Sequence, residues 1–512
     1  MRFRFLSLLA LMLVASSASA ELKMSSIFGD SMVLQRDQPI HVWGWTVAGQ
    51  EVSAELAGHS ASTKADASGR FDLSIDALPA GGPHEMTISA DQSKTFRDVL
   101  IGEVWVCSGQ SNMGMAVASS NDADLESLAA NYPNIRLISV PQVGVQEPQK
   151  DFNGQWTACT PESVRNFSAV GYFFGRQLNQ TLDIPIGLID NAWGGSAAEA
   201  WIERKVLEED GNYAELLGRW DYLAANHNHE AAVAKWKELH AEWAKEKKGN
   251  APRAPRNPLT GNQRPANIYN GVLKPTIGYT IRGAIWYQGE SNAGRAYQYR
   301  DLFPLMIQSW RDEWKQGDFP FYWVQLADYK NEVDAPVDSE WAELREAQTM
   351  TMSRLPNTGE AVILNLGEAN DIHPKNKQGV GTRLARWALA KDYGYKIAHQ
   401  SPTYRGTPEG MQVKGDRVTL KFDHVGGGLD TFDVNNAIGF SIAGADQKFV
   451  FAKAKIVDKE TIEVWADGIE NPVSVRYAWA NNPVCNVQSA EGLALTPFRT
   501  DDWKGKTEGV VK

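Results

Sequence analysis

Cysteine is scarce. Cys107, Cys159 and Cys485 are the whole complement of a 512-residue chain, an odd number that cannot all pair, at separations that match no metal-ligand motif. An exported location permits one disulfide, for which Cys107 with Cys159 is the expectation; buried free thiols are the alternative. Apolar runs long enough to span a bilayer are missing throughout, so no membrane anchor is expected. A basic excess is missing too. The 51 Lys and Arg face 62 Asp and Glu, a formal net charge of −11, which argues against nucleic acid or an anionic membrane surface as partner. No internal repeat is evident, and nothing in the sequence sets an oligomeric state.

What is present begins with a leader. In MRFRFLSLLALMLVASSASA, Arg2 and Arg4 precede an apolar run from Leu6 to Ala15, and Ala18-Ser19-Ala20 closes it. This reads as a secretory signal peptide over 1–20. The mature protein is therefore expected to be exported, periplasmic or secreted, and with no Cys soon after the cleavage site no lipid anchor is expected.

Residues 21–98 alternate in polarity in short runs such as IHVWGW, EVSAEL and RFDLSID, separated by turn residues. That spacing suggests a small immunoglobulin-like β-sandwich. From 99 to 397 the rhythm changes. Buried strand-like runs (EVWVCSG, IPIGLID, RGAIWYQ, FPFYWVQL, AVILNLG) each end in small or polar residues and alternate with helix-period segments. An α/β fold follows, with a parallel sheet covered by helices on both faces. A charged helical insertion at about 204–262 interrupts it. There Trp236, Leu239, His240 and Trp243 fall at helical spacing, most simply as a packing face, with a lid or sugar-stacking wall as the alternative. His227 and His229 form an H-x-H pair, but no third ligand accompanies them and a solvated helix is the simpler reading. Residues 398–512 return to β character.

The chemistry gathers at strand ends, where α/β folds place it. EVWVCSG runs into Gln110 and Ser111, so Ser111 is a candidate nucleophile. A hydroxyl at its free pKa attacks poorly and needs a base. His373, in NLGEANDIHPKNKQG, is the one histidine just after a buried α/β strand. Asp371 lies two residues earlier, where its carboxylate can orient the imidazole. Stabilising a tetrahedral oxyanion needs fixed donors. Gly194 and Gly195 of NAWGGS offer backbone N–H groups, Asn292 of QGESN offers a carboxamide, and the Ser111 N–H is a third donor.

Ser, Gly, Asn and His in four successive blocks resemble the SGNH hydrolase superfamily. The phrases CSGQSNM, FSAVGYFFGRQL, WGGSAAEAW, GAIWYQGESNA and NDIHP, with GDSMVLQR near one end and PFRTD near the other, are similar to its sialate O-acetylesterase branch over nearly all the mature chain. The resemblance implies a flavodoxin-like core with accessory β regions, and a serine esterase that removes O-acetyl groups from sugars without metal or cofactor. It casts Ser111 as nucleophile, His373 as base, and Ser111, Gly195 and Asn292 as oxyanion donors. Gln110, Gln288 and Glu290 are possible supports. Superfamily members usually carry the Asp three residues before the His. Here position 370 is Asn, which leaves Asp371 and Glu290 as candidate acids. The third block reads G-E-S-N rather than the tighter G-x-N.

The expected partner is an acetylated carbohydrate. Sialate esters and acetylated plant polysaccharides such as xylan or xyloglucan both remain open. A carbohydrate-binding protein that has lost catalysis is the rival of another class; it would bind sugar without esterase activity. A lipase or acyltransferase would need a wide acyl pocket that nothing in the sequence announces.

Overall fold

A single 17-residue strand, Ser93–Gly109, organises the molecule. In the computed structural model, which describes residues 21–511, it is mostly exposed at its start, where Phe96 alone is buried, and continuously buried from Val99 onward. The expected leader, 1–20, lies outside the described residues. β-Branched and aromatic residues fill the buried half. Its one charge there, Glu103, is neutralised by Arg36 (2.6 Å) and Arg282 (2.6 Å) and accepts from Gln35 (3.0 Å).

The buried half is the middle of a sheet in the order Thr157–Cys159, Tyr132–Ser139, Ile186–Asp190, Ser93–Gly109, Gly283–Tyr287, Phe321–Val324, Thr358–Ala361. All neighbours are parallel except the first pair. Because strand side chains alternate between faces, Val104, Val106, Ala284 and Trp286 join one apolar cluster. Trp105, Cys107, Ile285 and Tyr287 join the other. Helices Ala296–Trp314 and Glu340–Arg354 cover the first face; Ala169–Leu182 and Lys377–Lys391 cover the second. The chain builds one side of Ser93–Gly109 before crossing to the other, so the carboxyl ends of three strands open onto one crevice.

The exposed half of the same strand pairs antiparallel with Gly81–Ser89, while Val33–Gln35 runs parallel to Leu100–Gly102. A second, three-stranded sheet (Lys23–Met24, Ile40–Trp45, Arg70–Ile75) completes the N-terminal β region. The division expected at residue 98 therefore falls inside one continuous strand. At the other end, β-sheets around Arg417–Asp423 and Phe440–Ala443 form their own apolar cluster, which Val362 and Leu364 join from the α/β core. No helix among the described residues is long and apolar enough to cross a membrane.

One expectation needs correction. Cys107, Cys159 and Cys485 are all free thiols. Cys107 and Cys159 are buried as small apolar groups, and burial pushes the Cys159 thiol up to about 12. The Trp236–Trp243 stripe packs on a loop and not on the core, for helix His229–Glu246 buries none of its residues completely. Its indoles instead hold the Pro-rich return loop, Trp236 Nε1 donating to Pro252 O (2.9 Å) and Trp243 Nε1 to Gly249 O (3.1 Å).

Candidate active site

At the end of the long strand Gly109 takes φ +133°, and a Cβ there would stand 2.2 Å from the Tyr287 carbonyl oxygen. Only glycine fits so close an approach. It lets Gln110 N–H bond Tyr287 O (2.9 Å) and fixes where the chain leaves the sheet. Ser111 then opens a single helical turn, Ser111–Gly114, whose N-cap Gln110 provides no side-chain cap. The first N–H groups of a helix lack intrahelical partners, so the Ser111 N–H is available beside its own hydroxyl.

His373 arrives from the loop that follows strand Thr358–Ala361. Asp371 accepts the His373 backbone N–H (2.9 Å), an Asx-type turn that shapes the loop. The ring Nε2 lies 2.8 Å from Ser111 Oγ. The same Asp371 oxygen stands 3.5 Å from His373 Nδ1, and the two side chains are 39% and 44% exposed. Hydroxyl, imidazole and carboxylate are thus in sequence at a solvent-accessible position. The Asp–His contact is long, as such contacts often are outside a substrate complex.

Gly194 and Gly195 form the corner of a turn closed by Ser196 N–H to Trp193 O (3.2 Å), with Gly195 at φ +75°. The turn is anchored by Trp193 N–H to Gly109 O (2.9 Å) and by the Asn262 amide on Gly194 O. A Cβ on Gly194 would lie 3.3 Å from Ser111 Cβ, whereas one on Gly195 would meet Asn262. Gly194 is therefore the glycine that faces Ser111.

Asn292 is enclosed and shared among several partners. One amide hydrogen goes to Glu199 (2.9 Å), and Oδ1 accepts from Ala198 N–H (3.0 Å) and Gln288 (2.7 Å). Gln288 also reaches Ser196 O (3.0 Å) and accepts from Tyr299 (2.9 Å), which ties the second and third blocks together. Gln110 Oε1 accepts Gly289 N–H (3.3 Å). Glu290 makes no bond to the His373 ring. Its Oε1 accepts from Asn112 (2.7 Å), and its Oε2 is shut off from solvent without a partner.

Residues that sequence reasoning missed complete the surroundings. Glu199 pairs with Arg295 (2.6 Å), both buried. Asn112 and Lys377 lie enclosed behind Ser111 and His373. Lys377 had a legible signal, since it shares the apolar stripe of its helix with Val380 and Leu384. A cleft lined by Glu199, Arg219, Trp220, Gln263, Ser291 and Arg295 adjoins the Gly194–Gly195 turn, where Gln263 donates to Gly195 O (3.4 Å).

Comparison with known proteins adds three findings. Residues 101–235 and 263–390 match the carbohydrate esterase family described as sialic acid-specific acetylesterase. Sialate O-acetylesterase of Homo sapiens is 28% identical over 97% of this chain and 96% of its own; that of Mus musculus is 31% identical over 77% and 78%. A crystal structure of a carbohydrate acetylesterase from Xanthomonas citri superposes with a TM-score of 0.81 at 36% identity, over 94% of this chain and all of that one. The chain is a carboxylic ester hydrolase, and it belongs to the sialic acid-specific acetylesterase family of carbohydrate esterases.

Proposed function

We propose that this enzyme removes O-acetyl groups from sugars by two-step acyl transfer at Ser111. His373 accepts the serine proton as Oγ attacks the acetyl carbonyl. It returns that proton to the departing sugar hydroxyl, then activates the water that hydrolyses the acetyl-enzyme. Asp371 orients the ring and stabilises the imidazolium. The oxyanion forms among the N–H groups of Ser111, Gly194 and Gly195, with the second amide hydrogen of Asn292 as a further donor; removing one donor from such a set costs about 3 kcal/mol of barrier. One observation carries the reading, the 2.8 Å contact between Ser111 Oγ and His373 Nε2.

For the sugar we infer an acidic one of the sialate type. In the adjoining cleft Arg295 is paired with Glu199, which leaves the Arg219 guanidinium as the charge beyond that pair, so the lining carries one net positive charge. A guanidinium left over in such a cleft suits a ligand carboxylate. The parallel strand order supports reading the core as a flavodoxin-like SGNH hydrolase with an N-terminal β-sandwich, and the leader supports export.

The test is Ser111→Ala on p-nitrophenyl acetate, then on O-acetylated sialate beside acetylated xylan and xyloglucan. Activity is expected to fall at least ~10³-fold in the variant, with the native far-UV spectrum kept. Near-normal turnover would remove Ser111 from the mechanism. Release of acetate from the plant glycans alone would replace the acidic sugar with a neutral one.

A further inference from the structure

We propose that Lys377 and Glu290 are positioning residues for the Ser111–His373 pair, acting through Asn112; the proposal rests on the reading of Ser111 as nucleophile. Asn112 directly follows Ser111, and Ile372 directly precedes His373. The Asn112 amide donates to Ile372 O (2.9 Å) and to Glu290 Oε1 (2.7 Å), while its Oδ1 accepts from Lys377 Nζ (2.6 Å). One carboxamide therefore joins the residue after the nucleophile to the residue before the base. Its orientation cannot reverse, because an ammonium holds the oxygen side and a carboxylate the nitrogen side.

Both charged groups are held at a cost. Lys377 is fully buried, its ammonium 5.2 Å from the centre of the Tyr287 ring, and burial pulls its pKa down to about 7. Burial raises the Glu290 carboxyl, one oxygen of which has no partner. A core built for stability alone would place apolar residues here. Convergence of two costly groups on one amide, between the two reacting side chains, is the arrangement expected of a support that locks geometry.

The network also sets the local field. Glu290, Asp371 and Glu368 are the charged groups that act on Lys377, with the Tyr287 ring against it. The Lys377 ammonium and the Glu290 carboxylate put opposite charges into the network that reaches the residue before His373. Removing the first should raise the acid-limb pKa of kcat/KM, and removing the second should lower it.

The experiment measures kcat, KM and the pH profile of acetyl-ester hydrolysis for the wild type, Lys377→Met, Glu290→Gln and the double variant. Lys377→Met is expected to lose ~10–100-fold in kcat with KM within about twofold. Its acid limb is expected to move up, that of Glu290→Gln down, and that of the double variant to return toward the wild type. Wild-type kcat in Lys377→Met, or a fall in kcat without opposed shifts, overturns the proposal. Should Lys377→Met fail to fold, the isosteric Glu290→Gln decides alone, and an unmoved limb refutes it. Ser111→Ala in parallel separates the failures. Activity there sinks the nucleophile, whereas an inert Ser111→Ala beside unaffected Lys377 and Glu290 variants sinks the network alone.

Discussion

Replacing Gly109 by Ala tests whether the exit of the long strand aims Ser111. The new Cβ would stand 2.2 Å from Tyr287 O, roughly 1 Å short of a tolerable contact. Holding an L-residue at φ +133° adds ~1–3 kcal/mol of backbone strain, and displacing the neighbouring strand adds ~1–3 kcal/mol more. The sum, ~2–6 kcal/mol, lies below most of the ~5–15 kcal/mol stability range of ordinary domains, so a folded variant should be recoverable. The displacement falls two residues before Ser111, on the carbonyl that accepts Gln110 N–H. A misplacement near 1 Å costs ~10²-fold in rate. The assay is kcat/KM on p-nitrophenyl acetate for folded Gly109→Ala, beside a thermal melt. A folded variant with wild-type kcat/KM and an unchanged melt would refute the claim that this approach sets the Ser111 position.

Two further outcomes follow from buried groups away from the site. Glu360 is 2% exposed and accepts from Trp323, Gln325 and Thr349, yet burial lifts its pKa to about 7. The folded state thus holds a proton that the unfolded state releases near 4.5, and stability falls by about 3 kcal/mol as pH rises from 4.5 to 7. Glu360→Gln should remove that slope, so its stability relative to the wild type should grow between pH 5 and 8 in urea melts; a constant difference contradicts the assignment. Thiol titration should find three free cysteines after denaturation without reductant, with Cys107 and Cys159 unreactive in the native protein. A count of one would restore the disulfide.

The alternation of buried runs with helices was legible because each α/β strand is apolar on both faces and ends abruptly in small residues. That Ser111 and His373 come together was legible for the same reason, as polar side chains at such ends. The cysteines were not, since a thiol buried as a hydrophobe and one held in a bridge look identical in sequence. In the insertion the packing stripe was legible but not its partner, because the indoles bond a loop beyond the helix, a contact that periodicity does not encode. Asn112 and Lys377 escaped because their partners are 178 to 265 positions away. The odd placement of a lysine on an apolar stripe was the one trace they left.

The strand Ser93–Gly109 begins in one β region and ends two residues before Ser111. Cutting the gene near codon 98 would amputate a hydrogen-bonded ladder and bare an edge prone to aggregate. Melting of the amino-terminal region should propagate along this shared rail to the catalytic crevice, so that the two fail together rather than in turn.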